Sequence, residues 1–270
     1  MVVIVALFSC QNSDSSLGSL LVSNSEELSA AIAGAEPGDE IVLANGNWED
    51  VQIRFAGIGT EKKPITLRAE TPGEVIISGQ SNLKIGGEYL IVQGLHFEDG
   101  ATPSSAVIEF QLDKEHIAFH CQVTECVIKN YNQAQRNKQD LWVRFHGRHN
   151  QLDHCYLAGK SYRGPTIRVN LAGIENIKNY HRITNNHFGP RPPKGGPSAE
   201  IIPLGSSYTS MTPSPTLVAN NLFDECNGEV EIIYSKSNFN EFKNNVFYKS
   251  EGSLVTRNGN YCTLDGNYFI

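Results

Sequence analysis

Asn220-Asn-Leu-Phe223 and Asn244-Asn-Val-Phe247 are two copies of a tetrapeptide pattern that recurs along this chain of 270 residues. In each copy, a small or polar pair precedes a short stretch that ends in a large apolar residue. The other copies are Gly94-Leu-His-Phe97, Glu125-Cys-Val-Ile128, His154-Cys-Tyr-Leu157, Asn185-Asn-His-Phe188 and Gly266-Asn-Tyr-Phe269. The last residues of the seven copies are separated by 31, 29, 31, 35, 24 and 22 positions. This recurrence predicts a stack of similar coils.

The rest of each coil favours an all-β fold, the parallel β-helix. From Glu40 onward, short β-rich runs alternate with Gly, Asn and Asp, and none has a helical period. A single coil cannot bury its inner face, so stacking supplies the core, and recurrent Asn side chains can form amide ladders. An antiparallel sandwich also uses short strands, but it gives no reason for one tetrapeptide to recur in phase.

The two ends of the predicted domain differ. Ser23-Asn-Ser-Glu26 begins a segment whose apolar spacing up to Ile32 predicts one short amphipathic helix. Such a helix would cap the open end of the stack, where strand edges would otherwise be exposed. The chain stops at Ile270 inside a coil with no visible cap, although terminal repeats normally need one. We therefore expect residues 19–270 to form a β-helix domain that is incomplete at its C-terminus.

Residues 1–18 are predicted to be an export segment and a polar tether. An apolar run too short to span a bilayer ends in Leu7-Phe8-Ser9-Cys10, which resembles a bacterial lipobox with Cys10 as the lipidated residue. This predicts an exported protein, either periplasmic or a lipoprotein of the outer membrane or cell surface. The usual positive charge before the apolar run is missing, because the first basic residue is Arg54. A buried N-terminal strand remains the alternative.

Five cysteines follow Cys10, and no pair of them has the spacing of a zinc or redox motif. Cys126 and Cys155 occupy equivalent places in successive repeats. We therefore expect stacked, buried thiols in the core rather than a framework of disulfides.

The charge balance is acidic overall but uneven along the chain. A net charge of −7 leaves no global basic field, which argues against general nucleic-acid binding. Between residues 160 and 194, however, one acid, Glu175, is outnumbered by basic residues. Such a cluster suits an anionic polymer in one groove, unless the charges are merely scattered and solvated. Its members are Lys160, Arg163, Arg168, Lys178, Arg182, Arg191 and Lys194.

The strongest candidate site is Gly228-Glu-Val-Glu-Ile-Ile-Tyr-Ser-Lys236. Glu229 and Glu231 would project from the same face of a β-strand, because residues i and i+2 do so. Two adjacent carboxylates repel each other unless a cation lies between them, and Ca²⁺ is the natural oxygen-binding cation. Lys236 is an odd number of residues after Glu231, so a continuing strand would direct its side chain to the opposite face. We therefore expect a turn near Tyr234 or Ser235. A solvated strand face with an ordinary ion pair is the alternative.

Arg257 follows Lys236 by 21 residues, about one repeat. In stacked coils this places the two residues about one strand spacing apart, about 4.8 Å. Two carboxylates, a lysine and an arginine on one surface could hold a metal ion and move a proton.

Taken together, these segments resemble polysaccharide lyase family 6, the alginate lyases and chondroitinase-B-like enzymes. The resemblance covers most of the chain and is strongest in the segment from Asn221 to Arg257, where Lys236 and Arg257 have the family's spacing. It implies a right-handed, single-stranded parallel β-helix that cleaves a uronic-acid polymer by β-elimination. Alginate is the expected substrate, and dermatan sulfate is the alternative. The other segments that carry it are Pro37-Gly-Asp-Glu-Ile-Val-Leu43, Asp153-His-Cys-Tyr156, Gly159-Lys160 and Asn186-His-Phe-Gly-Pro-Arg-Pro-Pro193.

The resemblance also implies roles for individual residues. Lys236 would be the Brønsted base, and Arg257 would assist at the leaving oxygen. Glu229 and Glu231, with Glu200 as a further carboxylate, would bind a Ca²⁺ ion that neutralises the substrate carboxylate. We expect the substrate contacts to be Lys160, Arg191, Lys194 and Asn258.

β-Elimination itself requires such a set of groups. Removal of the C5 proton builds up charge on the neighbouring carboxylate, and a metal or another cation there lowers the barrier. The product carries a C4=C5 double bond.

Three positions depart from the family pattern. Pro197 stands where the family has a calcium-binding Asn, Pro203 stands in place of an Arg, and Asn258 stands in place of a His. They leave open a metal-independent lyase that uses Lys194 or an arginine, and a surface glycan-binding lipoprotein without turnover. A β-helical hydrolase is a poorer match, because the Asp-Asp, Gly-His-Gly and Arg-Ile-Lys motifs of pectinase-like enzymes do not occur here.

Overall fold

The computed structural model describes residues 18–270 as a parallel β-helix. Three sheets run along the stack, and every pairing between their strands is parallel. Each coil contributes in turn to the first, second and third sheet, so neighbouring strands of one sheet come from successive coils. The predicted fold class is confirmed. Cys10 and the export segment before it lie outside the described residues.

The strands are short, as the sequence predicts. The first sheet contains Ser19–Val22, Glu40–Leu43, Ile65–Ala69, Leu90–Gln93, Gln122–Thr124, Gln151–Asp153, Arg182–Thr184, Leu217–Ala219, Glu241–Lys243 and Thr263–Asp265. The second contains Gly46–Glu49, Val75–Gly79, His96–Gly100, Val127–Lys129, Tyr156–Ala158, His187–Phe188, Leu222–Asp224, Val246–Tyr248 and Tyr268–Phe269. The third contains Gln52–Ile58, Asn82–Glu88, Ala106–Glu109, Ala118–Phe119, Leu141–Phe145, Ile167–Val169, Ile202–Leu204, Glu231–Ser235 and Ser253–Thr256.

One α-helix, Ser25–Gly34, lies against the first coils. Asn24 caps its N-terminus, because the Asn24 side chain accepts hydrogen bonds from the backbone N–H groups of Glu26 and Glu27. Leu28 is its buried residue. The predicted helix is therefore present. Within the described residues, the other helical segments are the 3₁₀ turns Ile174–Asn176 and Ser207–Thr209. Of the helices between residues 18 and 270, none has the length and apolar character needed to cross a membrane.

The tetrapeptide repeat corresponds to one turn of each coil. Its first residue adopts a left-handed conformation, with φ of 57° at Asn220 and 54° at Asn244. Its second residue forms the predicted amide ladder, in which the side chain of Asn221 donates to that of Asn245 at 3.0 Å. Asn186 and Asn267 extend this ladder in both directions. The conformational tolerance of Asn and its amide side chain therefore explain why it recurs.

The fourth residue of the repeat points into the core. The rings of Phe188, Phe223, Phe247 and Phe269 stack from coil to coil, with centroids 4.3 to 5.1 Å apart. Stacking of like residues on successive coils gives a continuous apolar core along the axis.

The cysteines between residues 18 and 270 are all free thiols. Cys126 and Cys155 are buried at equivalent places in adjacent coils. The prediction of stacked buried thiols is confirmed.

Candidate active site

Lys236 and Arg257 occupy equivalent positions on consecutive coils. The strand Glu231–Ser235 lies between the corresponding strands of the preceding and following coils. Just beyond it, the backbone N–H of Lys236 donates to the Leu204 carbonyl at 2.9 Å, and that of Arg257 donates to the Ser235 carbonyl at 2.9 Å. The two backbones are thus one strand spacing apart, as the sequence predicts.

The Lys236 side chain leaves the sheet where the strand ends at Ser235, which is the predicted turn. Its ammonium group donates to the Ser207 hydroxyl at 3.3 Å and lies 5.0 Å from the centre of the Tyr234 ring. Within residues 18–270, no carboxylate lies within 4.0 Å of it. The half-exposed amine is therefore not neutralised by an ion pair.

Glu229 and Glu231 do not project side by side from one strand. Glu229 lies in the bend before the strand, and its carboxylate accepts the Ala199 N–H of the preceding coil at 2.9 Å. Glu231 begins the strand, and its carboxylate accepts from the Arg257 side chain of the following coil at 2.7 Å. The predicted strand alternation is wrong for Glu229, because a bend separates it from Glu231.

Glu200 is the third carboxylate at this edge of the site. The residue is buried, and one of its carboxylate oxygens, Oε2, has no hydrogen-bond partner. Burial raises the pKa of Glu200, and the charge of Glu229 raises it further. A buried carboxylate oxygen without a partner, next to a second carboxylate, is an environment that a bound cation would stabilise.

Carboxylate oxygens match the ligand chemistry of Ca²⁺, but these side chains do not converge on one point. In the described part of the chain, no three His, Cys, Asp or Glu side chains are grouped closely enough to hold a metal ion. Glu231 would have to exchange its ion pair with Arg257 for a metal contact. Pro197 offers no side-chain ligand.

Arg168 and Tyr234 also lie at the site, although Arg168 was predicted only as part of the basic cluster and Tyr234 only as the place of a turn. Burial raises the pKa of Tyr234, and the charges of Glu200, Glu231 and Glu229 raise it further, whereas the charge of Arg168 lowers it. The Nε atom of Arg168 is buried and has no hydrogen-bond partner. A cation with a free donor therefore lies near the glutamates.

A row of charged side chains leads away from the site along the third sheet. Lys84, Glu109, Arg144 and Arg168 are register neighbours on successive coils. Glu109 lies 3.2 Å from Arg144 and 3.3 Å from the Nε2 atom of His146. Burial would raise the pKa of Glu109, but the contacts with His146 and Arg144 outweigh it and lower that pKa.

A cavity of about 370 Å³ lies beside this row. His146 and Asn170 line it and are joined by a side-chain hydrogen bond of 3.1 Å. Strand register places Asn170 two coils before Lys236. The cavity and the lysine therefore open on the same face of the molecule.

Two predicted substrate contacts are buried instead. Lys160 is 1% exposed, and its ammonium group lies 3.4 Å from Asp140 and 3.3 Å from the centre of the Tyr162 ring. Arg191 is 2% exposed and donates to main-chain carbonyls. Neither charge reaches the surface, so the prediction of substrate contact is wrong for both residues as they lie here.

Lys194 and Asn258 do lie at the surface beside the site. The Lys194 backbone N–H donates to the Gly228 carbonyl at 3.2 Å, and Asn258 is exposed next to Arg257. The wider basic cluster is not one surface. Arg182 projects from the first sheet, whereas Arg168 lies on the third. A count of charges along the sequence could not separate these faces.

Comparison with known proteins places this geometry in a family. The family model described as Chondroitinase B matches residues 22–270. No curated protein matches the chain.

Several solved structures share the fold. The PL6 family alginate lyase AlyGC is 48% identical with a TM-score of 0.93, and the match covers 94% of this chain and 35% of AlyGC. A mannuronic acid specific family 6 lyase from human gut microbiota is 39% identical with a TM-score of 0.89, over 94% of this chain and 59% of that one. Pedsa3628 from Pseudopedobacter saltans, a PL6 polysaccharide lyase, is 32% identical with a TM-score of 0.85, over 93% and 57%. This chain thus spans between 35% and 59% of the length of these relatives.

Proposed function

Because this chain belongs to polysaccharide lyase family 6, the family of chondroitinase B, we propose that it cleaves a uronic-acid polymer by β-elimination. The observation that carries the proposal is the placement of Lys236 and Arg257 on consecutive coils beside Glu200, Glu229 and Glu231. A lysine without an ion-pair partner next to a guanidinium group supplies the proton acceptor and the hydrogen-bond donor that the reaction uses.

Alginate is the proposed substrate. The solved relatives include an alginate lyase at 48% identity and a mannuronic-acid-specific lyase at 39% identity, which supports this choice. Arg144 and Arg168 lie on successive coils and would contact carboxylates of an extended polyanion along the third sheet. Dermatan sulfate remains the alternative substrate, since the matching family model is that of chondroitinase B.

In the proposed reaction, Lys236 takes the C5 proton of the uronate at the cleavage site. The electron pair of the C5–H bond forms the C4=C5 double bond while the C4–O4 bond breaks. Arg257 would hydrogen-bond to O4 as it departs, and a water molecule would supply the proton that converts O4 into a hydroxyl group. Arg257 is 52% exposed at its side chain, so it can reach a substrate once it leaves Glu231.

The charge that develops on the substrate carboxylate needs a cation. We propose that Glu200, Glu229 and Glu231 would hold Ca²⁺ after Glu231 releases Arg257 and the three side chains turn towards the ion, which would then supply that positive charge. The partnerless oxygen of Glu200 supports this part of the proposal. Arg168, with a buried donor that has no partner, is the group of this chain that could act in its place.

A glycan-binding protein without turnover is the second candidate function. Pro197 and Pro203 favour it, because neither can supply the ligand or the charge expected at its position. In this case the face of the third sheet would bind the polymer, and Lys236 and Arg257 would not cleave it.

Absorbance at the unsaturated-uronide band distinguishes these functions. The purified protein is mixed with alginate or with dermatan sulfate, each in calcium and in chelator. A rise on alginate that chelator abolishes supports the calcium-dependent lyase, and a rise that survives chelator assigns the role of the metal to Arg168. A rise in absorbance with dermatan sulfate alone would identify dermatan sulfate, instead of alginate, as the substrate. Binding of alginate without any rise would replace the lyase with the glycan-binding protein.

We also propose that the protein is exported and anchored through Cys10. The support is the sequence Leu7-Phe8-Ser9-Cys10, which resembles a lipobox. Expression in a bacterium fed labelled palmitate should label the wild type and not the Cys10→Ser variant. Equal labelling of both would refute the anchor.

A further inference from the structure

Arg191 is a buried cation without a carboxylate partner in the described part of the chain. It is 2% exposed, and no Asp or Glu oxygen within residues 18–270 lies within 4.0 Å of its guanidinium group. Its donors are satisfied by oxygen atoms of the main chain and by one hydroxyl. A buried charge is costly, so this arrangement calls for an explanation beyond ordinary packing.

The guanidinium group of Arg191 binds the segment that carries Glu200. One of its nitrogens donates to the Glu200 carbonyl at 2.7 Å and to the Thr166 hydroxyl at 2.9 Å. The other donates to the Gly164 carbonyl at 2.7 Å. A planar fork with several fixed donors can hold two chain segments in one relative position, which a lysine cannot do.

Arg191 also contacts the segment that carries Glu229, through both its backbone and its side chain. The Arg191 backbone carbonyl accepts the Asn227 N–H at 2.9 Å. Gly228 then lies directly over the arginine stem, and a Cβ atom there would meet Arg191 at 2.9 Å and the Ala199 carbonyl at 2.6 Å. Only glycine allows this close approach. The glycine that begins the site motif therefore makes room for Arg191.

A further contact joins the two carboxylate segments. The Ala199 N–H donates to the Glu229 carboxylate, while the next residue, Glu200, gives its carbonyl to Arg191. Arg191, Glu200 and Glu229 are thus linked in a ring of contacts through Ala199 and Gly228. Two carboxylates that repel each other are held close together by this ring, with a positive charge behind them.

We propose that Arg191 is a positioning residue that fixes Glu200 and Glu229 beside each other without touching the substrate. This deepens the proposed function and rests on it, since the two carboxylates matter for catalysis only if the site is a lyase site. Supporting residues of this kind typically change activity by about 10-fold to 100-fold when they are mutated.

Arg191→Lys tests the proposal, because it keeps the charge and removes the fork. Arg136→Lys is the matched control. Arg136 also donates to main-chain carbonyls, those of Pro193 and Lys194, but it does so at the surface and hydrogen-bonds to neither Glu200 nor Glu229. Thr166→Val is a milder variant that removes one acceptor of Arg191, in case the lysine variant does not fold.

Local hydrogen–deuterium exchange is the readout that does not depend on activity. For Arg191→Lys we expect exchange to rise about tenfold in peptides covering 198–201 and 228–231, while the first sheet keeps the wild-type rate. Thr166→Val should show the same pattern more weakly, and Arg136→Lys should not show it. If the wild type is a lyase, kcat should fall about tenfold in Arg191→Lys, with KM changed less.

Three results would overturn the positioning role. They are unchanged exchange in both peptides, a uniform rise in exchange over all coils, and, in an active enzyme, an unchanged kcat. Failure of the wild type to cleave any uronic-acid polymer would refute the proposed function instead, and the exchange measurement would still decide whether Arg191 holds the two segments.

Discussion

At the scale of the residue, the buried carboxylate of Glu200 lowers the stability of the folded protein. Its buried Oε2 atom has no partner, and its pKa is raised by burial and by Glu229. A carboxyl group whose pKa is raised by folding destabilises the protein as the pH rises from its unfolded pKa through its folded pKa, because the folded state must then hold a charge that water would solvate better. A bound cation or substrate group that contacted the Glu200 oxygen would offset this loss of stability.

Glu200→Gln is therefore expected to stabilise the metal-free protein. The neutral amide removes the buried charge, which should recover about 1–3 kcal/mol at pH 7. The advantage should shrink as the pH falls through the raised pKa of Glu200 and towards its ordinary value of 4.5, well below which the glutamate is protonated in both states. Urea unfolding in chelator measures it.

Glu225→Gln serves as the control for this prediction, since Glu225 is exposed and 4.0 Å from Lys249. It should change stability by less than about 0.5 kcal/mol. A Glu200→Gln variant that is less stable than the wild type at pH 7 would show that Glu200 is satisfied in the folded protein.

The sequence predicted some site residues better than others for a physical reason. Lys236 and Arg257 are separated by one short coil without an insertion, so their spacing fixes their stacking. Lys160 and Arg191 were chosen because they lie in the basic cluster and in segments that carry the family resemblance, and neither criterion distinguishes inward from outward side chains. Both point inward, where one meets a carboxylate and the other meets carbonyls.

At the scale of the element, the turn containing the Asn ladder is the repeating unit that defines the coils. Asn221 is buried, accepts from the Asn186 side chain, and donates to Asn245 and to the Ile183 carbonyl. Each coil therefore hydrogen-bonds to the next through a side chain as well as through the strands. The ladder lies in a turn, where strand pairing alone would leave donors unsatisfied.

Asn221→Ala should break this ladder in its middle. It removes two donated and two accepted hydrogen bonds and leaves buried partners unsatisfied, so we expect a loss of about 2–4 kcal/mol. Thermal unfolding of the variant measures the loss.

Asn185 provides the contrast, because its exposed side chain lies outside the ladder and its φ is 59°. Asn185→Gly should be nearly neutral, since glycine adopts this conformation readily. Equal losses for Asn185→Gly and Asn221→Ala would mean that the backbone turn, and not the amide ladder, accounts for the recurrent Asn.

The elements themselves were largely predictable, whereas the rows along the third sheet were not. The tetrapeptide marks one turn per coil, and stacked Phe and Asn residues follow from it directly. Between turns the coil length varies from 22 to 35 residues, so the register of the third sheet cannot be counted from the sequence. For this reason Arg144 was missed, Arg168 was named only as a member of the basic cluster, and Tyr234 was named only as the place of a turn.

At the scale of the whole molecule, one buried histidine links stability to pH. His181 is fully buried, and its Nδ1 atom accepts the Asn150 N–H at 3.2 Å. Burial lowers the pKa of His181 from 6.5 to about 3. Between about pH 3 and pH 6.5, His181 is protonated in the unfolded chain but stays neutral in the folded protein. Stability is therefore complete above pH 6.5 and falls as the pH drops.

His181→Asn should flatten this dependence. The amide oxygen can accept the same hydrogen bond, but it does not titrate. The wild type should lose up to about 1.4 kcal/mol per pH unit through this group below pH 6.5, and the variant should lack that contribution. Urea unfolding between pH 8 and pH 5 compares the two. Parallel curves for wild type and variant would rule out His181 as the source of the acid sensitivity.

The stack brings the third-sheet row, the three glutamates and the Lys236 and Arg257 pair to one side of the molecule. A parallel β-helix does this by register alone, because each coil adds one residue to each row. An extended polymer that lies along the axis can then meet one coil after another.

The most direct test of the account is the initial rate of unsaturated-uronide formation from alginate by Lys236→Ala and by Lys249→Ala. Both lysines lie 5.0 Å from a tyrosine ring centre, but Lys249 is exposed and belongs to a different sheet. We predict that Lys236→Ala loses at least about 100-fold in rate, as expected for a general base, and that Lys249→Ala keeps the wild-type rate. A Lys236→Ala variant that is folded and as active as the wild type would contradict the assignment of Lys236 as the base.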